Sequence, residues 1–288
     1  MFTLVGLIVV FVAVFGGYFL AGGKFEIILK ALPYEFMMIG GAALGAFIIS
    51  NSVSGVKKVP KEVLYAFKGE TWHKSHYLAV LCLANDLLKL MKSNPASLEA
   101  QIDDPSNSEV FKRYTDEINE DELIEVICDI IRLTQMNFVD SSQLDDLLEV
   151  RLEGISHKKM ALAHALQAVA DALPALGIVA AVLGVIKTMA SIDQPPEVLG
   201  GLIGGALVGT FLGIFLSYGI VGPIAAKMDY QSRKDLSIYG VTKEIFVCCL
   251  QGHSVNICLE IGRQSIPDGK RPSFEEVEKK ISELRLKA

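Results

Sequence analysis

Hydrophobic residues along the chain are concentrated in four long runs that carry almost no charge. A hydrocarbon core about 30 Å thick requires roughly 20 apolar residues in a helix. The segments that meet this requirement are residues 2–21, 34–53, 172–190 and 198–226. The charged residues within them are Glu35 and Lys187. This pattern predicts an all-α membrane protein with four transmembrane helices.

Basic residues beside these runs predict how the helices are oriented. Eleven lysines and arginines flank one side of the four runs, and three flank the other. By the positive-inside rule, both termini and the long middle segment are cytoplasmic. The connections on the far side, residues 22–33 and 191–197, are short, so the spans pair as two hairpins. The predicted regions are a transmembrane hairpin (1–53), a cytoplasmic helical domain (54–159), a second transmembrane hairpin (160–226) and cytoplasmic C-terminal helices (227–288).

The polar middle segment has the periodicity of helices. Leu78, Leu81 and Leu88 recur at helical spacing, and the same spacing continues later in the segment. Residues 101–150 carry a net charge of about −11, which is typical either of a solvated surface or of a docking face for a basic partner. Near the C-terminus, Ser273 and Glu276 have the spacing of a capping box that begins a last helix.

Charge, cysteines and motifs exclude several functions. The net charge of −6 provides no basic surface for nucleic acid. Five scattered cysteines form no CxxC pair, so we expect buried, reduced thiols. His73 and His76 have no partner residues at metal-ligand spacing. No nucleotide-binding or nucleophile motif is present. We therefore expect no enzymatic activity and no cofactor; a membrane-embedded enzyme would need a polar cluster at a membrane face.

Glycines and prolines mark the last two runs. The fourth run has a glycine at every fourth position, namely Gly201, Gly205, Gly209 and Gly213. Such a stripe allows another helix to approach closely within a membrane. Pro174 and Pro223 leave the carbonyls of Ala170 and Gly219 without their helical amide partners, and they predict either passive kinks or a paired hinge. The middles of these two runs contain no acidic residue, so another polypeptide should supply any ion-binding carboxylate.

Four motifs resemble the MotA family of flagellar stator subunits, and the resemblance covers nearly the whole chain. They are FGGY at 15–18, DALPALGIVAAVLGV at 171–185, ALVGTFLG at 206–213 and RPSFE at 271–275. The resemblance implies a subunit of the bacterial inner membrane, assembled as a pentamer around a dimer of a MotB-type partner that is anchored to peptidoglycan. In lipid, this complex would convert ion flow into torque. The ExbB and TolQ energisers of outer-membrane processes are the alternative, although they usually have three spans.

The resemblance also assigns roles to individual residues. Pro174 and Pro223 match the family prolines that are tied to torque and conformational change. Glu99 matches the acidic residue that faces the rotor protein FliG. The basic position aligns with Met91, so Lys89 or Lys92 would replace it.

The ion can be predicted from one position in the same way. Sodium-driven relatives pair a threonine in the third span with one in the fourth. Here Thr210 is present, but the third-span position is Ala181, whose methyl group cannot bind sodium. We therefore predict proton coupling; the alternative is that Ala181 is a packing residue.

Overall fold

The structure is a computed structural model that describes residues 2–69, 71–118, 120–135 and 140–287. In these residues the regular secondary structure is helical. The α-helices are α1 Phe2–Phe11, α2 Gly17–Leu20, α3 Phe25–Ser50, α4 Val53–Lys68, α5 Lys74–Ser93, α6 Pro95–Asp103, α7 Glu109–Lys112, α8 Asp121–Gln135, α9 Ser141–Met189, α10 Pro196–Ile214, α11 Gly222–Asp235, α12 Ser237–Leu250, α13 Val255–Ser265 and α14 Phe274–Lys287. Two π-helical segments, Val12–Gly16 and Phe215–Val221, follow α1 and α10.

The chain forms two compact units, here called the apolar unit (Met1–Gly69 and Lys158–Ser232) and the polar unit (Glu70–His157 and Arg233–Ala288). Four helical stretches of the described residues are long and apolar enough to cross a membrane. They are Phe2–Leu20, Phe25–Ser50, Ser141–Met189 and Pro196–Leu250. The four apolar runs of the sequence are therefore confirmed as long helices.

The first predicted connection, residues 22–33, is wrong, because α3 already begins at Phe25 and contains Pro33. The predicted run began beyond the charged residues Glu26 and Lys30, whereas α3 includes both of them, and they form an ion pair of 2.7 Å one turn apart. The actual connection is residues 21–24. Gly22 adopts a φ of 77°, a conformation that glycine accepts without strain, and so the chain reverses within four residues.

Several contact regions hold the apolar unit together, among them a cluster of Ala66, Ala163 and Met228. Buried residues of α3, α9 and α10 form a small core of Ile39, Ala43, Leu173, Ala180 and Leu212. The two π-helical segments meet through aromatic rings, because the ring centroids of Phe15 and Phe215 are 5.3 Å apart and those of Phe11 and Phe215 are 5.2 Å apart. Helix α1 buries no residue of its own, so most of its apolar surface remains for lipid or another subunit.

The polar unit has a large core of its own, built on α5, α8, α12 and α13. Leu81 and Leu88 are fully buried, which confirms the helical periodicity of the middle segment. The five cysteines are free and buried, as predicted. The predicted capping box is also present: the Ser273 amide donates to the Glu276 carboxylate at 2.6 Å, and the Glu276 amide donates to Ser273 Oγ at 3.2 Å.

Candidate functional site

The candidate site lies where α9 crosses α10 within the apolar unit, beside Pro174. Helix α9 continues through this proline, which has no amide hydrogen to give to the carbonyl of Ala170. The structure shows what replaces it. The hydroxyl of Ser217 donates to the Ala170 carbonyl oxygen at 2.6 Å. Both residues are 1% exposed, so this hydrogen bond is shielded from solvent within the unit.

Ser217 lies in the π-helical segment that precedes Pro223. In this segment the Gly222 amide donates to the Ser217 carbonyl, five residues back. A side chain on Gly222 would come within 2.9 Å of that same carbonyl oxygen, and 3.8 Å from the Ala170 methyl group. A glycine is therefore needed at the end of this π-helical turn. The structure thus places the carbonyl freed by Pro174 against the distorted turn before Pro223.

Glycines form the closest contacts of the crossing. A Cβ on Gly213 would lie 2.6 Å from the Leu173 carbonyl oxygen and 2.9 Å from the Gly177 Cα. A Cβ on Gly184 would lie 2.6 Å from the Ala206 Cβ. Gly177 and Gly184 were missed by the sequence analysis, although their spacing of seven residues on one helix face was a usable signal.

The four glycines of the predicted stripe have different surroundings. Gly209 and Gly213 are buried in close contacts. A Cβ on Gly205 would make an ordinary contact of 3.9 Å with the Ala31 Cβ. A Cβ on Gly201 would meet nothing within 4 Å, so the close approach within the chain covers half of the stripe.

Glu35 is a further residue that was not predicted to take part in the site. From the sequence it was noted as the charge of its run and was given no role. In the structure its side chain is 5% exposed, and its carboxylate occupies the space where Gly209 has no side chain. Among the described residues, no hydrogen-bond partner contacts its Oε2 atom. A buried carboxylate is costly in an apolar environment. At the α3–α10 contact there is room for the Glu35 carboxylate because Gly209 has no side chain.

The two residues that bear on ion choice lie on the same crossing. The Thr210 Cα is 3.4 Å from the position that a Cβ on Gly177 would occupy, and Thr210 is half-buried. Ala181 lies one turn after Gly177 on α9 and is also half-buried.

The candidate rotor residues lie in the polar unit and differ in accessibility. Glu99 on α6 is exposed. Lys92 near the end of α5 is exposed, and its Nζ donates to the His253 carbonyl at 3.3 Å. The Nζ atom of Lys89 is buried. The structure therefore distinguishes two lysines that the sequence left equivalent.

Comparison with known proteins decides the family. The chain is 35% identical over 286 residues to motility protein A of Salmonella typhimurium, an alignment that covers 99% of this chain and 96% of that protein. The chain belongs to the motility protein A family. It is also 33% identical to motility protein A of Escherichia coli over the same length, and 33% identical over 279 residues to the chemotaxis protein LafT of Vibrio parahaemolyticus, covering 96% of this chain and 97% of that protein.

Two family descriptions agree with this membership, and two solved structures have a similar fold. Residues 4–95 match the motility protein A N-terminal family, and residues 111–239 match the MotA/TolQ/ExbB proton channel family. The fold is similar to the C. jejuni MotAB structure, with a TM-score of 0.70, 19% identity, and 94% and 98% of the two chains covered. It is also similar to the flagellar MotAB stator complex of Bacillus subtilis, with a TM-score of 0.68, 22% identity, and 96% and 100% covered.

Proposed function

We propose that this chain is the membrane subunit of a flagellar stator, which converts proton flow into torque. One observation carries the proposal: the similarity to motility protein A extends over 99% of the chain, so it includes the apolar helices, the polar unit and the proline crossing. Match to the N-terminal family of motility protein A favours this function over an ExbB- or TolQ-type energiser.

Four spans in two hairpins, with both termini in the cytoplasm, form the proposed arrangement in the inner membrane. It is supported by the four long apolar helices and by the basic residues on one side of them. The tight turn at Gly22 supports the first hairpin, because four residues cannot separate two helix ends by the thickness of a bilayer.

A MotB-type subunit is the proposed partner, and several copies of this chain surround it, in line with the MotAB complexes of similar fold. We take the family arrangement of a pentamer around a partner dimer. The partner would supply the ion-binding carboxylate, since the middles of the last two apolar runs contain none. Gly201 has open space in front of it and is therefore available for contact with a neighbouring helix.

The energies are of the right order for this coupling. One elementary charge that crosses 100 mV releases about 2.3 kcal/mol. Conformational coupling in proteins is typically about 1–3 kcal/mol. A single ion therefore supplies enough free energy for one rearrangement at the helix crossing.

Rotor contact is proposed to involve Glu99 and Lys92, which face the protein FliG. Lys92 is preferred over Lys89 because its side chain is exposed, whereas the Lys89 ammonium is buried. Charge reversal at an exposed residue changes stability little but strongly affects steering toward a charged partner. Lys92→Glu or Glu99→Lys should therefore impair swimming while the complex still assembles. Lys112→Glu, an exposed lysine of the same unit, is the matched control.

The proposed function is tested by deleting the gene and measuring swimming. A non-swimming strain that still builds flagella, restored by the wild-type gene, is the expected result. Normal swimming of the deletion strain, in the absence of a second stator, would overturn the proposal.

A further inference from the structure

Pro174 leaves the backbone carbonyl of Ala170 without its helical hydrogen-bond donor. The carbonyl of Ala170 faces the position where an amide hydrogen would stand in any other residue. An unpaired buried carbonyl is costly, and near hydrocarbon no bulk water replaces the missing donor. In this chain the donor comes from another helix, forty-seven residues away in sequence.

We propose that Ser217 is the positioning residue of the proline crossing, because its hydroxyl replaces the amide that Pro174 lacks and thereby fixes α10 against α9. This inference rests on the proposed stator function. It goes beyond that function by assigning Ser217 the task of holding one defined arrangement of the two proline-containing helices.

The geometry makes this hydrogen bond a sensitive one. The donor–acceptor distance of 2.6 Å is at the short end for a hydroxyl and a carbonyl, and such bonds weaken steeply when their angle is distorted. The surrounding contacts combine glycine against backbone, at Gly177 and Gly213, with the packed side chains of Leu173, Ala180 and Leu212. The Ser217–Ala170 bond joins α9 to the π-helical segment that follows α10, so movement of these helices along each other lengthens or bends it.

A second hydroxyl provides an internal comparison. Thr188 Oγ1 donates to the Gly184 carbonyl at 2.8 Å, and Thr188 is 3% exposed. That carbonyl lies four residues back on the same helix and already has the Thr188 amide as its helical partner. Removing the Thr188 hydroxyl therefore leaves no carbonyl without a hydrogen-bond donor. Removing the Ser217 hydroxyl leaves the Ala170 carbonyl without a donor, unless the proline is also replaced.

The experiment uses the complex reconstituted from this subunit and its separately purified partner, and it reads the Ala170 carbonyl directly. The dipeptide Ala-Asp occurs once in the chain, at Ala170-Asp171. Labelling alanine carbonyl carbons and aspartate amide nitrogens with NMR-active isotopes therefore selects this carbonyl within the chain. Partner signals are removed by labelling this subunit separately before reconstitution.

In the wild type, the Ala170 carbon resonance should show the shift of a hydrogen-bonded carbonyl. Ser217→Ala should move it, and Thr188→Val should not. In a Pro174→Ala background, the new amide serves the carbonyl, so adding Ser217→Ala should leave the resonance in place. An unmoved resonance in Ser217→Ala alone would overturn the proposal.

The wild type, Ser217→Ala, Pro174→Ala and the double variant form a cycle for function and stability. Loss of one hydrogen bond corresponds to a change of roughly threefold to tenfold in an equilibrium constant. We expect Ser217→Ala to change the ratio of folded to unfolded complex in thermal unfolding by that factor. We also expect it to change rotation speed at low load. Equal effects of Ser217→Ala in the proline and alanine backgrounds would reduce Ser217 to an ordinary packing residue. These measurements test only the role of Ser217 at the proline crossing. Failure of the wild-type gene to restore swimming would instead refute the stator function.

Discussion

Gly209 lies where α10 passes the carboxylate of Glu35, and the carboxylate occupies the space that its missing side chain leaves. The constraint on this glycine therefore comes from its neighbour, because its backbone is an ordinary helix. Gly213 is constrained differently, by the backbone atoms of α9, which cannot move away as a side chain can. Each glycine of the stripe is therefore required for a different physical reason, and some are not required by any contact within the chain.

These differences predict a graded series of alanine substitutions in α10. Gly201→Ala should be neutral, and Gly205→Ala nearly so. Gly209→Ala should cost about 1–3 kcal/mol of stability, because it overpacks a filled site. Gly213→Ala should cost the most. Thermal unfolding of the purified complex measures the series.

A double substitution separates packing from other causes in this series. Glu35→Ala empties the space in front of position 209, so Gly209→Ala should cost much less in that background. Equal costs of Gly209→Ala with and without Glu35 would show that the carboxylate does not set the requirement for glycine.

Helix boundaries show what could and could not be predicted at the scale of elements. Hydrophobic runs located all four apolar helices, yet they placed the start of α3 too late, at residue 34. Likewise α9 begins at Ser141, well before its apolar run. Hydrophobicity reports where a helix meets lipid, whereas local hydrogen bonds and charge pairs determine where it begins. Ser273 and Glu276 were predicted correctly, because a capping box is a local signal.

The N-terminus of α14 gives a prediction about pH. A hydrogen bond from Lys74 and the amide of Ser273 lower the pKa of Glu276. A carboxyl group whose pKa is lower in the folded state stabilises that state above its ordinary pKa, and this contribution is lost as pH falls through the lowered value. Glu276→Gln should therefore reduce protection of the first α14 amides near neutral pH, and the difference from wild type should vanish in acid.

Hydrogen exchange of the purified complex measures this difference. Glu275→Gln, at the neighbouring exposed position of the same turn, is the control and should change protection less. Equal loss of protection in both variants would indicate a general effect of negative charge at the helix terminus.

At the scale of the whole molecule, the sequence indicated class and family, but not the contacts between distant segments. The Ser217–Ala170 hydrogen bond and the Glu35–Gly209 contact join residues far apart in the chain. No local pattern encodes which faces of α3, α9 and α10 meet, since the stretches of these helices that pack together are apolar around most of their circumference. Pro174, Pro223 and Gly213 were nevertheless recognised as important positions, because proline and glycine have backbone effects that any fold must accommodate.

Membrane orientation can be tested by labelling an introduced cysteine, because the native thiols should not react with the label. Burial raises the pKa of Cys82 to about 12 and that of Cys128 to about 11, so these thiols should stay protonated and unreactive at neutral pH. Ala100 is exposed on the polar unit. Ala100→Cys should react with a membrane-impermeant maleimide only after the inner membrane is opened. Labelling from the periplasm of intact cells would contradict the proposed orientation.

Ion choice is a property of the assembled complex and gives the last prediction. With Ala181 in place of a hydroxyl, sodium would lose a ligand, whereas a proton needs only a carboxyl group and water. Rotation speed should therefore remain constant when external sodium is varied at fixed pH and membrane potential. A speed that follows the sodium concentration would refute proton coupling.

Glycine contacts between α9 and α10 have a mechanical consequence. Side chains that interlock make a ridged surface, and sliding one helix past another then requires each ridge to climb over the next. At Gly177, Gly184 and Gly213 no side chain projects, so these ridges are lower there, while Leu173, Ala180 and Leu212 still pack between the helices. Fewer side chains then oppose a displacement, and the Ser217–Ala170 hydrogen bond adds one defined contact. In the proposed stator function, a helix crossing that shifts with each ion would dissipate less of the ion's energy as heat if fewer side chains oppose the shift.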